Sequence, residues 1–305
     1  MNVAPARLAS LAPLLAELGD LKRTHRAGAG DSVATMLFRR AWRELAAGSD
    51  LGDVALKTAA DALAACRLGA IDAALLARCG VDGAARRAVL ERAFDAVTPP
   101  LEPSFASTLR SRITCAAAAD DRETVYTPPF VEALARQPRA GATCPGKPRL
   151  VLEPPESHAE HCFAVAVYAV LVSPRYEAPV ADAFVLAMAH HLHNAVLPDT
   201  GFTGEVLLGD ALEPIVERLT IQALASLPTA LAERIERLRP LLATADAPAA
   251  AAFHAADVID RVLQMRQYAR VAAFEMGQAL DDLELVHAGP VQAFHLAALA
   301  EAGLP

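Results

Sequence analysis

The histidines of this chain are spaced so that several of them could act together at one site. The sequence contains nine histidines, and five of them fall between positions 158 and 193. His158 and His161 are three residues apart, as are His190 and His193, and residues at this spacing share one face of a helix. Imidazole is the commonest metal ligand in proteins. The clustering therefore predicts a metal site.

A metal site also needs negative charge, and Asp257 is the candidate. It lies within the apolar segment Ala251–Ile259, where a carboxylate is costly unless it is paired, hydrogen-bonded or bound to a cation. A mixed set of imidazole and carboxylate ligands suits Mn, Fe, Co, Ni or Zn better than Mg or Ca. The expected cofactor is therefore a divalent transition metal.

These residues need helices to position them. Alanine and leucine dominate the chain and only 5% of its residues are aromatic, which predicts an all-α fold built as a helical bundle. Helices are predicted over His158–Leu171, Val180–Leu192 and Ala250–Ala279. A turn at Ser173-Pro174 would make the first two antiparallel and bring both histidine pairs together.

Proline marks the predicted domain boundary. Ten of the 21 prolines fall between Pro99 and Pro155, and proline interrupts helices. We therefore predict an N-terminal helical domain of unknown role over residues 1–98, a proline-rich connecting segment over 99–155 and a C-terminal helical domain over 156–305. Within the connecting segment, Arg149–Glu153 is the one stretch typical of a strand.

The charge and hydropathy of the chain exclude some classes of partner. The 305 residues carry a net charge of −8, which argues against nucleic acid as the main partner because nucleic-acid-binding surfaces are basic. No apolar run approaches the roughly 20 residues that a membrane-spanning helix needs, and residues 1–18 make a poor signal peptide. We expect a cytoplasmic protein with no membrane partner, and a homo-oligomer is compatible with the sequence.

A basic run, Leu21–Arg26, precedes several glycines in the N-terminal half. Basic charge beside flexible backbone could receive a phosphate. The run lacks the glycine and lysine arrangement of a P-loop. The favoured interpretation is a solvated basic face ahead of the helix at Ser32.

The spacing of the candidate ligands resembles that of the HD-domain superfamily. His161-Cys-Phe-Ala-Val-Ala resembles its first ligand helix, His190 follows 29 residues later, and Ala256-Asp257 resembles its closing Ala-Asp pair. Residues 190–199 share the leading His and the final Leu-Pro-Asp with a pattern of its cyclic-dinucleotide branch. The resemblance covers residues 156–270 and implies an all-α, HD-like C-terminal half with metal-dependent phosphohydrolase activity on nucleotides or related phosphoesters.

The chain departs from the family at the second position of the His-Asp doublet, where it has His191. The resemblance implies that His161, His190 and Asp257 hold the metal, with His191 either a further ligand or a hydrogen-bond partner of one. The remaining candidates for ligands, or for residues that support ligands, are His158, His193, Asn194, Asp199 and His254.

Three functions fit these residues. The first is metal-dependent hydrolysis of a small-molecule phosphoester or nucleotide, in which a metal-activated water is the nucleophile and Glu205 is the candidate base or a further ligand. The second is an HD-like regulatory or binding module that has lost catalysis, which the missing Asp at position 191 favours. The third is a di-iron oxygenase of the superfamily, which the additional histidines favour.

Overall fold

The computed structural model describes residues 7–26, 30–115, 126–272, 275–282 and 284–304. Within these ranges the chain forms helices, loops and isolated β-bridges but no strand, so the all-α prediction is confirmed. The helices before residue 137 are α1 (Leu8–Gly19), α2 (Val33–Ala46), α3 (Leu51–Leu68), α4 (Ala73–Arg78), α5 (Gly83–Asp95), α6 (Pro103–Arg110) and α7 (Pro129–Arg136).

The second half carries the long buried helices and the shorter helices around them. They are α8 (His158–Tyr176), α9 (Val180–Ala189), α10 (Gly201–Leu208), α11 (Leu212–Leu224), α12 (Thr229–Leu238), α13 (Pro248–Ala272) and α14 (Gln292–Ala302). None of the helices in the described ranges combines the length and the apolar character that crossing a bilayer requires. The cytoplasmic location stays a prediction.

Helix α8 forms the centre of the molecule. Every residue from His158 to Ser173 is buried, as expected for a helix that is apolar on all sides. It packs against α9 and α13 from the second half of the chain and against α2 and α3 from the first half. Side chains from both halves of the chain therefore share one hydrophobic core, while the division into domains stays a prediction.

The start of α8 is fixed by a reciprocal cap. The Ser157 hydroxyl accepts a hydrogen bond from the Glu160 backbone N–H at 3.2 Å, and the Glu160 carboxylate accepts one from the Ser157 N–H at 2.8 Å. Such a pair satisfies two backbone donors that a helix end leaves unpaired. It sets the register of the first turn, which carries His158 and His161.

Three local predictions are corrected. The predicted turn at Ser173-Pro174 is wrong, because α8 continues to Tyr176 and a proline in the last turn removes only one backbone donor. The predicted strand at Arg149–Glu153 is also wrong, since Leu150 forms only an isolated bridge with Ala142. Helix α13 ends at Ala272, seven residues before the predicted end, and positions 273 and 274 lie outside the described residues.

Candidate metal centre

Four predicted ligands meet where α8, α9 and α13 converge. His161 lies in the first turn of α8, His190 directly follows α9, and Asp257 lies on α13. The His161 Nε2 atom is 3.2 Å from His190 Nε2 and 3.2 Å from an oxygen of Asp257. One ring nitrogen each from His161, His190 and His191 lie within 4.8 Å of one another.

Two of the imidazole rings are held from behind by acceptors. The Nδ1 atom of His161 is 2.8 Å from Asp260 Oδ2, and that of His190 is 2.6 Å from the Ala187 carbonyl oxygen. A carboxylate and a carbonyl can only accept, so in both rings Nδ1 carries the proton and donates it. In neutral rings, the Nε2 lone pairs of His161 and His190 then face each other across 3.2 Å.

The His191 ring also carries its proton on Nδ1. The Asn194 amide donates through Nδ2 to the Leu197 carbonyl oxygen at 3.1 Å, which turns its Oδ1 toward His191 Nδ1 at 2.8 Å. His191 therefore donates from Nδ1 and keeps its lone pair on Nε2. The Nε2 atoms of His161 and His190 thus meet beside the Asp257 carboxylate, with the His191 ring next to them, and such a group of acceptors could bind a cation.

The electrostatics keep these groups in the states that bind metals. Burial, and next the neighbouring His161, lower the pKa of His190 to about 3. Burial also places the pKa of His191 well below its ordinary value. Burial opposes ionisation of Asp257, but the His161 ring at 3.2 Å and the charge of Arg261 hold the pKa of that carboxyl well below its usual range. Neutral imidazoles and an ionised carboxylate are the forms that coordinate metals.

A cavity of ≈ 500 Å³ opens onto this centre, and pockets of about 300–1,000 Å³ are typical of small-molecule sites. Arg139 and Arg261 both line it, as does Glu205. On its wall the Phe202 and His287 rings stack, with centroids 4.2 Å apart and planes inclined by 19°. The cavity thus joins a cluster of acceptors to two guanidinium groups.

His158 and Asp199 lie beside the centre without joining it. His158 is fully buried, its ring centroid is 4.8 Å from that of His191, and neither ring nitrogen has a hydrogen-bond partner in the described part of the chain. Burial, and next the charge of Arg139, lower its pKa to about 2. The Asp199 carboxylate accepts hydrogen bonds from backbone N–H groups of residues 140 and 201, and so ties the loop after α7 to the start of α10.

The other candidates have separate surroundings. The His193 ring centroid is 5.8 Å from that of His191. His254 lies on the cavity wall, where its Nδ1 is 3.4 Å from His295 Nε2 and its Nε2 is 3.3 Å from a carbonyl oxygen. Glu205 is exposed at the cavity mouth, and partial burial of its carboxyl, followed by the charge of Asp199, raises its pKa.

Several residues of this region are not among the predicted ligands. Asp260 and Arg261 follow Asp257 by three and four positions, and helical spacing places them on its side of α13, although it predicts no role for them. No local pattern distinguishes Arg139 from the other basic residues of the proline-rich segment. Within the basic run, Lys22 contradicts the predicted solvated face: it is 5% exposed because its ammonium group meets two buried carboxylates. Residues 27–29, in the glycine stretch, lie outside the described ranges.

Comparison with known families agrees with this architecture. A family model described as HD domain matches residues 131–292, more than half of the chain. The chain belongs to the HD-domain family. The match begins within α7, so this HD domain includes Arg139 as well as every candidate ligand. HD domains bind divalent metals, and the convergent histidines supply a group that could hold one. No curated protein and no solved structure matches the chain.

Proposed function

We propose that this HD domain is a metal-dependent phosphohydrolase that acts on a small-molecule phosphoester. The observation that carries the proposal is the convergence of imidazole lone pairs and the Asp257 carboxylate at one end of a cavity lined by two arginines. Such a centre suits a cation, and the arginines suit an anionic substrate. Membership of the HD-domain family supports the same class of module.

The residues fit a divalent transition metal. His161, His190, His191 and Asp257 would hold it, since all three rings present Nε2 and the carboxylate is ionised. A metal bound there would polarise a phosphoryl oxygen and acidify a water molecule for attack on phosphorus. Three imidazoles with one carboxylate agree with the ligand preferences of Zn, Fe, Co, Ni and Mn.

Arg139 and Arg261 are the groups that we assign to phosphate binding. Arg139 is held by Glu156, 3.2 Å from its Nη1, and its buried Nε has no hydrogen-bond partner among the described residues. Arg261 donates from Nη2 to the Leu285 carbonyl oxygen, and its Nη1 is 3.9 Å from Asp257. Guanidinium groups match the geometry of phosphate oxygens, so the pair would hold the substrate against the centre.

Glu205 is the group that we assign to proton transfer. It lines the same cavity, and burial of its carboxyl, followed by the charge of Asp199, raises its pKa. A carboxyl with this property suits protonation of the leaving-group oxygen. On this assignment, Glu205→Gln lowers kcat and leaves metal binding unchanged.

A binding module without catalysis is the second candidate function. It is favoured by His191, which stands where the family has an aspartate. Its neutral ring in place of a carboxylate would make the metal-bound site more positive. The oxygenase would need His158 or His193 as further ligands, and their ring centroids lie 4.8 and 5.8 Å from that of His191. Beside His158, both oxygens of Asp199 already accept hydrogen bonds from backbone N–H groups.

The test measures metal content and phosphate release together. The chelator-treated protein is loaded with Mn, Fe, Co, Ni or Zn in turn, its metal is quantified by mass spectrometry, and hydrolysis of p-nitrophenyl phosphate and nucleoside phosphates is followed. We expect one metal per chain and metal-dependent phosphate release, both lost in His190→Ala and kept in His25→Ala, which removes an exposed histidine. Bound metal without hydrolysis of any ester would favour the binding module, and absence of metal would refute both the centre and the hydrolase.

A further inference from the structure

A buried lysine from outside the HD-domain match supports the metal centre from behind. Lys22 ends the short turn after α1, more than 100 residues before the matched region begins. Its Nζ lies 2.5 Å from Glu156 Oε1 and 2.7 and 2.8 Å from the two oxygens of Asp260. The lysine and both carboxylates are buried.

We propose that Lys22 is a positioning residue of the metal centre, acting on His161 through Asp260. The inference rests on the proposed function, because it assumes that His161 is a metal ligand. Both oxygens of Asp260 accept from Lys22, and Oδ2 also accepts from His161 Nδ1 at 2.8 Å. The carboxylate therefore cannot rotate without breaking one of these bonds, and the ring keeps its Nε2 aimed at the other ligands.

The same carboxylates could be taken for a second metal site. One ligand atom each from Glu156, His161 and Asp260 lie within 4.8 Å of one another. The ammonium group of Lys22 already lies at hydrogen-bond distance from both carboxylates, and Arg139 approaches Glu156 to 3.2 Å. Two cations thus face two carboxylates, the charges balance, and the group supports a ligand without binding a metal of its own.

Stability alone does not account for a network of this kind. Replacing a buried ion pair with apolar residues of similar volume is often neutral or stabilising, because taking charges out of water is costly. A role in orienting a metal-ligating histidine does account for this network. Mutation of a carboxylate that accepts a hydrogen bond from such a histidine typically weakens metal binding about 10- to 100-fold. Through Lys22, the segment that follows α1 becomes part of the metal centre.

The experiment compares metal binding by the full-length protein and its Lys22→Met variant. Co²⁺ is titrated against a competing chelator, folding is checked by circular dichroism, and the visible spectrum of the saturated protein reports ligand geometry. We expect Lys22→Met to bind Co²⁺ about 10- to 100-fold more weakly and to show an altered Co²⁺ spectrum. We expect Lys22→Arg, which keeps the charge, to recover most of the affinity. Lys57→Met, which breaks the distant Lys57–Glu44 ion pair, should leave both readouts unchanged.

Each other outcome has a distinct meaning. A folded Lys22→Met protein with wild-type affinity and spectrum overturns the positioning role and leaves the proposed function standing. A wild-type protein that binds none of Mn²⁺, Fe²⁺, Co²⁺, Ni²⁺ and Zn²⁺ overturns both. If Lys22→Met does not fold, the same measurements are made on Asp260→Asn, because the amide keeps the shape of the carboxylate. Weaker binding and a changed spectrum in that variant support the role, and wild-type values overturn it.

Discussion

Two cavities of the molecule are similar in size and opposite in character. The N-terminal cavity, between α2, α3 and the start of α4, measures ≈ 390 Å³, against ≈ 500 Å³ for the cavity at the metal centre. In the N-terminal cavity, charged side chains on the wall are satisfied within the protein: Arg40 pairs with Asp61, and Lys57 lies 2.5 Å from Glu44. Its charges hold helices together.

At the metal centre the polar groups are oriented so that they do not satisfy one another. His161 and His190 each donate a hydrogen bond from Nδ1, and their Nε2 atoms face each other. The arrangement of donors and acceptors, and not the volume of a cavity, therefore distinguishes a candidate catalytic site from a packing gap. Four experiments test this difference.

The largest effect should come from removing the anionic ligand. We expect Asp257→Ala to weaken metal binding and to lower hydrolysis by roughly 100-fold or more, because several kcal/mol of charge stabilisation are lost. Glu44→Gln removes a paired carboxylate from the N-terminal cavity and should change neither quantity. Calorimetric metal titration and phosphate release measure the two. Equal losses in both variants would abolish the distinction between the cavities.

A smaller effect should come from the arginines. Arg261→Met should lower kcat/KM about 10- to 100-fold at saturating metal, because a hydrogen bond to a charged group is worth roughly 1.5–3 kcal/mol. Arg40→Met, in the N-terminal cavity, should leave kcat/KM within about twofold. Steady-state kinetics on one phosphoester suffice. An unchanged kcat/KM in Arg261→Met would remove Arg261 from substrate binding.

The buried histidines should make the metal-free protein sensitive to acid. The pKa of His190 is lowered to about 3 and that of His158 to about 2, whereas an unfolded histidine titrates near 6.5. Between these values the unfolded state binds more protons, so the free energy of unfolding falls as the pH drops below about 6.5. The slope can reach about 1.4 kcal/mol per pH unit for each such group.

Urea unfolding at pH 7.0 and 5.0, with chelator present, measures this dependence. His190→Gln should flatten it, whereas His25→Ala, at an exposed position, should not. A pH-independent midpoint in the wild-type protein would contradict the predicted neutral cluster. Added metal should stabilise the protein more at pH 7.0 than at pH 5.0, because protons compete for the same imidazoles.

The smallest effect should come from replacing a buried histidine that makes no hydrogen bond, compared with one that does. His158→Leu should stabilise the metal-free protein by about 1 kcal/mol at pH 7, because both its ring nitrogens are buried without a hydrogen bond. His254→Leu should destabilise it, because His254 shares hydrogen-bond contacts with His295 and a carbonyl oxygen. Chemical unfolding of both variants is the measurement, and destabilisation by His158→Leu would show that His158 has a role in packing or binding.

Local patterns in the sequence account for the parts of this architecture that could be predicted. Helical spacing and the abundance of alanine and leucine indicated the all-α class. The numbers of residues that separate His161, His190 and Asp257 in the sequence indicated the family. Where local rules competed with packing, prediction failed. Pro174 marks a turn by local rules, yet α8 runs through it to Tyr176, because a proline in the last turn costs the helix only one backbone hydrogen bond.

The residue types that recur at helical spacing were enough to predict the helices, the family and the four candidate ligands. The surroundings of these ligands depend instead on how distant segments pack. Lys22 and Asp260 are 238 positions apart, and Arg139 reaches the cavity from a segment without a repeating pattern. Such partners are chosen by which helices pack together, and no spacing along the chain encodes a contact between segments so distant.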